Sequence, residues 1–431
     1  MLSTTDYQQY AQILKEELIP AQGCTEPAAI AYAAASAARR LGARPDAVAI
    51  EVSGSIIKNA KSVIVPNTGG LRGIEAAASA GIVAGDPDKS LRVIAGVTAK
   101  DVEAIHQFMR EVPISVRHAK GGAVFDILVT VRAGARTVSV RVSGHHTNIA
   151  EIRENGETVG RLTGRAVQRE LTDRSFMTVE GIVEFARVME TSDVKDVLDE
   201  QIACNTAICD EGLRGNYGAN IGKVLLRAYG DGDVKIRARA RAAAGSDARM
   251  NGCELPVVIN SGSGNQGITA SVPVIEYAET LGVSSDTLYR ALAVSNLVTI
   301  HIKTGIGRLS AYCGVVCAGC GCGAAIAYLN GGGYDEIAHT IVNALAVTSG
   351  IICDGAKASC AAKIATAVDA GILGYQMYMD GQQFLGGDGI IKKGVENTIK
   401  NVCCLARNGM CETEREILRI MMDAPDEAQQ L

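Results

Sequence analysis

Tryptophan is absent from the 431 residues and phenylalanine occurs only five times, so large aromatic anchors cannot organise the core. Neither sign of charge dominates: the net charge is −5, which leaves no basic footprint for nucleic acid or for an anionic membrane surface. Long apolar runs are also missing. The most apolar helical stretch, Ala28 to Ala38, is far short of the roughly 20 residues that cross a bilayer, and it ends in Arg39-Arg40. Met1 to Pro20 carries Asp, Glu, Lys and several Gln, so it supplies no apolar centre for a secretory signal. The expectation is a cytoplasmic protein with neither a nucleic-acid nor a membrane partner.

What is present is small and sulfur-rich. Apolar residues reach 47%, with 48 glycines and abundant alanine, a composition that lets helices approach closely. Thirteen cysteines in a reducing compartment are expected as buried small hydrophobes, metal ligands or reactive thiols rather than as disulfides. A chain of this length exceeds one ordinary core, so two domains are expected.

Ser3-Thr4-Thr5-Asp6 reads as a capping box opening a helix over Tyr7 to Leu18, stopped at Pro20. A loop, Ala21 to Pro27, then leads to an Ala-rich helix capped by Thr25 and closed by Gly42. Strands are predicted over Ala47 to Ser53, Leu91 to Val97 and Ile114 to His118, and helices over Gly70 to Ala84 and Ala99 to Arg110. Val124 to Arg132 and Arg136 to Val142 form the clearest hairpin, because Val138, Val140 and Val142 alternate with polar residues. Beyond residue 164 the pattern turns helical: Thr178 to Met189, Asp193 to Leu213, Val224 to Ala244, Thr287 to Ile300, Gly314 to Leu329, Asp335 to Thr348 and Ala361 to Ala370. The fold class is α+β, with a boundary near residue 165. Residues 1–165 form an α/β domain with a mixed or antiparallel sheet, and 166–431 a larger all-α domain. The N-terminal helices can pack on either.

Three groups of cysteines carry chemistry. Cys24 stands alone on a polar loop at a predicted helix start, where unpaired N–H groups and the positive dipole end favour a thiolate. The same residue, buried, would be inert. Cys313, Cys317, Cys320 and Cys322 are crowded into a Gly/Ala stretch. Their C-x3-C-x2-C spacing is that of radical S-adenosylmethionine enzymes, but it lies late in the chain within helix, so Cys317, Cys320 and Cys322 are read as packing. Cys353 and Cys360 straddle an Asp-Gly turn between helices, which can aim both sulfurs at one cluster. Cys204, Cys209, Cys253, Cys403, Cys404 and Cys411 have no usable spacing. Cys403-Cys404 reads as packing within a helix, and Cys411 as an exposed thiol.

Two further segments are ambiguous. Gly262 to Gly267 has the letters of a GxGxxG dinucleotide fingerprint without the required βαβ unit. It reads better as a Gly-rich turn that receives a carboxylate on its backbone N–H groups with Ser263 and Asn265, or as a tight turn alone. His145 and His146 follow a strand, where adjacent residues point opposite ways, so one can face a site while the other is structural.

Taken together the segments resemble the L-cysteine desulfidase family, relatives of the iron–sulfur L-serine dehydratase α chain. The matching blocks are Pro20 to Pro27, Lys58-Asn59-Ala60, Val65-Pro66-Asn67, Gly144 to Asn148, Ser261 to Gly267, Ser310 to Gly314 and Cys353-Asp354-Gly355-Ala356-Lys357-Ala358-Ser359-Cys360. The resemblance implies a [4Fe–4S] cluster held by Cys313, Cys353 and Cys360, with Cys24 as catalytic base. It also implies a small amino-acid substrate, L-cysteine, cleaved by β-elimination to sulfide, ammonia and pyruvate without pyridoxal phosphate, and oxygen sensitivity. Asn59, His146, Ser263, Asn265, Gln266 and Lys357 are the substrate-binding candidates, with Asn67 a more distant one. Lys357 and Asp354 can tune the cluster, bind the carboxylate or form a local ion pair. A homodimer is compatible with the sequence. The rivals are L-serine dehydration by the same chemistry, and a non-catalytic iron–sulfur, zinc or redox-sensing protein.

Overall fold

The computed structural model describes residues 2–119, 123–160, 171–307 and 309–422. Ser3 caps α1 (Thr4–Glu17), its hydroxyl accepting the Asp6 N–H at 3.0 Å. A short strand β1 (Pro20–Gln22) precedes α2 (Thr25–Leu41), which Gly42 closes in the left-handed conformation. Next come β2 (Ala47–Val52), α3 (Gly54–Ala60), α4 (Gly73–Ala84) and α5 (Ala99–Glu111). The strands β3 (Ile114–His118), β4 (Asp126–Ala133), β5 (Arg136–Ser143), β6 (Ile149–Glu154) and β7 (Glu157–Gly160) follow.

The remainder is helical: α6 (Val179–Val188), α7 (Lys195–Arg214), α8 (Ile221–Tyr229) and α9 (Val234–Met250), then a three-residue strand β8 (Pro256–Val258). Beyond it lie α10 (Gly264–Leu281), α11 (Ser285–Ile306), α12 (Gly314–Leu329), α13 (Tyr334–Thr348) and α14 (Cys360–Met379). The last helices are α15 (Val395–Cys404) and α16 (Cys411–Met421). The architecture is therefore α+β, a mixed sheet followed by a helical region. No helix among the described residues is long and apolar enough to cross a membrane. The boundary expected near residue 165 lies outside the described residues.

The sheet runs in the order β3-β2-β4-β5-β6-β7. Only the β2–β3 pair is parallel. Val138, Val140 and Val142 of β5 are buried, as their alternation requires, and they pack with α2, α4 and α5 in one apolar cluster. A second, larger cluster joins α6, α7 and α9–α15 and takes in α1 through Tyr10, Ile13 and Leu14. β1 pairs antiparallel with β8, so the residues just before Cys24 are stitched to the helical region.

Several sequence expectations are corrected. Leu91 to Val97 is no strand: a 3-10 turn over Pro87–Arg92 forms instead, capped by Asp86 with Pro87 at its start. Val224 to Ala244 is two helices, because Gly230 takes a positive φ and Asp233 starts α9 by accepting the Lys235 N–H. The loop expected from Ala21 begins with β1, and the Gly-rich turn at 262–267 runs directly into α10. Thr25 is the first helical residue rather than the cap. Cys24 holds the cap position.

α12 shows why the composition is so small-sided. Nearly all of its residues are buried, and it packs on α14 at backbone distance. A Cβ added at Gly371 would stand 2.2 Å from the Gly319 carbonyl oxygen, and one at Gly323 would stand 2.5 Å from that of Gly371. Interiors packed at this density do not absorb an extra methyl group. Gly371→Ala is expected to cost about 1–3 kcal/mol through overpacking, read as a lower urea midpoint with unchanged slope. An unaltered midpoint would mean that the two helices have room to spare.

Candidate active site

Four helix starts meet around one cavity of about 100 Å³. Cys24 caps α2, Ser263 caps α10, Cys313 caps α12, and Cys360 is the first residue of α14. Each start presents unpaired backbone N–H groups and the positive end of its dipole, so the cavity is built to receive negative charge. Cys24, Asn59, His146, Ser263, Asn265, Gln266, Cys313, Cys353 and Cys360 all line it. Residues from the two ends of the chain are thereby gathered onto one surface.

Local structure explains how. Gly23 has φ of 65°, and a Cβ there would lie 2.3 Å from the Pro66 ring, so glycine is needed between β1 and α2. Tyr312 and Ile352 form an antiparallel bridge, with the Cys313 N–H donating to Ile351 at 3.0 Å and the Cys353 N–H to Ala311 at 2.6 Å. That bridge sets Cys313 beside Cys353. The preceding loop is tied down by Lys58, which is 1% exposed and donates to Glu414 of α16 at 2.7 Å and to the Ser310 carbonyl at 3.2 Å.

The electrostatics of Cys24 differ from the expectation of a dipole-stabilised thiolate. Burial first, then the field of Glu26, pushes its thiol well above the usual cysteine range. A helix start contributes up to about 2 kcal/mol, whereas removing a thiolate from water costs several. Desolvation wins. The thiol donates to Glu26 Oε2 at 3.1 Å. Burial alone would raise the Glu26 carboxyl, but His146 and the Cys24 thiol outweigh it and hold it at about 2. Asn59 Nδ2 donates to Oε1 at 3.3 Å, and the Thr25 hydroxyl lies 3.1 Å from Oε2. His146 Nε2 sits 3.9 Å from Oε1, an ionic contact too long for a hydrogen bond.

Cys313 is pushed to about 12, by burial and then by the charge of Cys353, and Cys360 is also raised. Neutral thiols crowded together in this way are suited to a positively charged inorganic partner, since thiolates are the usual ligands of iron–sulfur groups. Among the described residues no three or more of His, Cys, Asp and Glu are gathered to hold a single metal ion.

Two candidates stand away from the cavity wall. The Lys357 ammonium is turned to the Asp354 carboxylate, and Lys363 lines the wall instead, donating to Asp354 Oδ1 at 2.6 Å. Asn67 donates to the Ile94 carbonyl at 2.9 Å. His145 does not line the cavity. Cys317, Cys320 and Cys322 are buried within α12, Cys403 is buried, and Cys404 and Cys411 are exposed. The sequence reading passed over Glu26, Arg249, Lys303 and Lys363. Glu26 lies within the matched block Pro20 to Pro27, but in sequence its position suits the first turn of a helix and signals nothing more. Lys303 had a signal: apart from His301, it is the one basic residue in an otherwise uncharged run from Ala291 to Ile306.

The serine dehydratase alpha chain family model matches residues 88–419, and the chain belongs to that family. It is 60% identical over 418 residues to a UPF0597 protein of Desulfitobacterium hafniense, covering 97% of each chain. A UPF0597 protein of Lachnoclostridium phytofermentans is 48% identical over 97% of this chain and 100% of its own length. One from Treponema denticola is 44% identical over 98% and 99% respectively.

Because Glu26 is held at about 2, below the ordinary 4.5, its ionisation favours the folded state. That contribution is complete above about pH 4.5 and fades as the pH falls towards 2, on the order of 3 kcal/mol in all. Wild type should therefore lose more stability between about pH 6 and about pH 3 than Glu26→Gln does. Equal losses in urea titrations would show that the carboxylate is not held as described.

Proposed function

We propose that this member of the serine dehydratase alpha chain family is an iron–sulfur-dependent lyase that eliminates sulfide from L-cysteine. The observation that carries the reading is the shared cavity. Cys24 and the cysteines 313, 353 and 360, nearly three hundred residues apart in the chain, line one small cavity of about 100 Å³. In this reading Cys313, Cys353 and Cys360 hold a [4Fe–4S] cluster, a role that three thiols lining the same cavity favour. With three protein ligands the bound cluster supplies an open iron, a Lewis acid that makes the β-substituent a better leaving group.

The chain's own groups handle the protons. Moving the Cys24 proton to Glu26, 3.1 Å away, runs uphill while the carboxyl is held low and the thiol high, and the positive field of Arg249, which favours the thiolate, offsets part of that cost as substrate enters. The thiolate so formed removes the α-proton, which is weakly acidic and needs a close, aimed base. Glu26 returns its proton to the departing sulfide, so both groups end as they began. The aminoacrylate left behind tautomerises to an imine, and water hydrolyses it to pyruvate and ammonia. Burial of Cys24 and Glu26 keeps the transfer between them rather than to solvent. Ser263, Asn265 and Gln266 at the α10 start, with Asn59 and His146, orient the substrate.

The name of the family model favours a second reading, L-serine dehydration, in which a hydroxyl leaves in place of sulfide. Anaerobically reconstituted protein should release sulfide from L-cysteine faster than pyruvate from L-serine. A large excess of serine turnover would select the second reading, and no turnover of either would reject both. Cys24→Ala should lower kcat about 10²–10⁴-fold while cluster absorbance persists. Cys313→Ser, Cys353→Ser and Cys360→Ser should each lose that absorbance. A cluster lost on replacing Cys24 would make it a ligand rather than a base.

A further inference from the structure

Lys303 sits in the cavity wall with its side chain buried, 4% exposed, and no hydrogen bond or ion pair to any described residue. Burial is the main force lowering its pKa, opposed by the nearby sulfurs of Cys317, Cys353 and Cys313. Arg249, 2% exposed, lies opposite the α10 start. Its Nη1 donates to Asn265 Oδ1 at 3.1 Å, and its Nε has no partner. A Cβ at Gly264 would fall 2.3 Å from that Nε, so glycine opens the helix there and the guanidinium lies across its first turn. A buried cation without a counter-charge is costly, and a native chain tolerates it where a ligand supplies the charge.

The other charged groups around the cavity already have hydrogen-bonding or ionic partners. Glu26, the carboxylate on the wall, is occupied by Cys24, Thr25 and Asn59. Lys363 is held by Asp354 and by the Ile352 carbonyl at 2.8 Å. Lys303 also lines an adjoining cavity of about 130 Å³ with Glu17, whose carboxylate Arg174 holds at 2.5 Å. Two cations therefore remain to be satisfied from within the space where substrate would sit. The α10 dipole adds to them.

We propose that Lys303 and Arg249 form the receptor for a substrate carboxylate, which makes a free α-carboxylate the recognition requirement of this cavity. This rests on the reading of the cavity as an amino-acid lyase site and names what that reading left open. The pair sets the polarity of the bound amino acid: carboxylate towards the starts of α10 and the end of α11, amine towards Glu26, β-substituent towards the wall of Cys313, Cys353 and Cys360. Amines or esters that keep the thiol but lack the carboxylate would find two unpaired cations and be rejected.

L-Alanine has the carboxylate and amine but no leaving group, so it reports binding without turnover. In calorimetric titrations of the reconstituted holoenzyme, Lys303→Met and Arg249→Gln should each raise the L-alanine Kd by 10-fold or more, and L-alaninamide should fail to bind wild type. Without ligand, Lys303→Met should not lower the thermal midpoint, since it removes an unmatched buried charge. Lys303→Gln serves as the second variant if Met does not fold. Wild-type indifference to L-alanine, equal affinity for the amide, or unchanged alanine binding in both Lys303 variants would each overturn the receptor. So would loss of cluster absorbance in Lys303→Met with alanine affinity intact, which would make Lys303 a counter-charge to the cluster. Alanine binding that depends on both cations, with neither L-cysteine nor L-serine consumed, would keep the receptor and reject the lyase reading. Elimination with unchanged KM in Lys303→Met would do the reverse.

Discussion

The approach of α12 and α14 to backbone contact, at Gly319, Gly323 and Gly371, is the constraint on which the site's geometry depends. The two helices begin at Cys313 and Cys360, so the distance between their axes fixes the distance between two of the three thiols. A side chain as small as alanine at the contact would push the helix starts apart. The absence of tryptophan and the surplus of glycine are thus connected to chemistry, through interhelical distance rather than through the site residues themselves.

Around that pair, the molecule gathers positive potential and then controls it by burial. Four helix starts and three basic side chains border a cavity with one carboxylate on its wall. Desolvation sets the response of Cys24, Cys313 and Lys303 and is outweighed by partners at Glu26 and Lys363. It keeps Cys24 protonated against the pull of a helix dipole and leaves the Glu26 carboxylate ionised only because three donors and His146 face it. In the proposed reading such a site has its proton donor, proton acceptor and anion receptors in place before any ligand arrives, which limits the reorganisation that catalysis must provide.

Much of this was legible before folding was considered. Helix periodicity located α12, α13 and α5 to within a residue or two, and alternation in Val138 to Val142 gave the hairpin of β4 and β5. The loop at Cys24 and the Cys353 to Cys360 turn were marked by residue type and spacing. The failures were also physical. Leu91 to Val97 is apolar enough for a strand, but the Asp86 cap and Pro87 start a turn that runs to Arg92, and β1 with β8 is too short to carry a periodicity. Lys357 is a candidate in the sequence because it lies within the Cys353 to Cys360 motif, whereas ion pairing with Asp354 turned it away from the wall.

By itself the sequence determined which thiols are available, which helices are small enough to touch, and where polar turns interrupt them. Those properties are local, set by backbone preferences and side-chain size over a few residues. Only the tertiary structure decided that Glu26 faces Cys24, that Arg249 and Lys303 open into the same space, and that His146 rather than His145 reaches it. Such pairings depend on burial and long-range packing, because the charge state and partner of a side chain follow from what surrounds it in space, and residues 26, 146, 249 and 303 become neighbours only once both cores have formed.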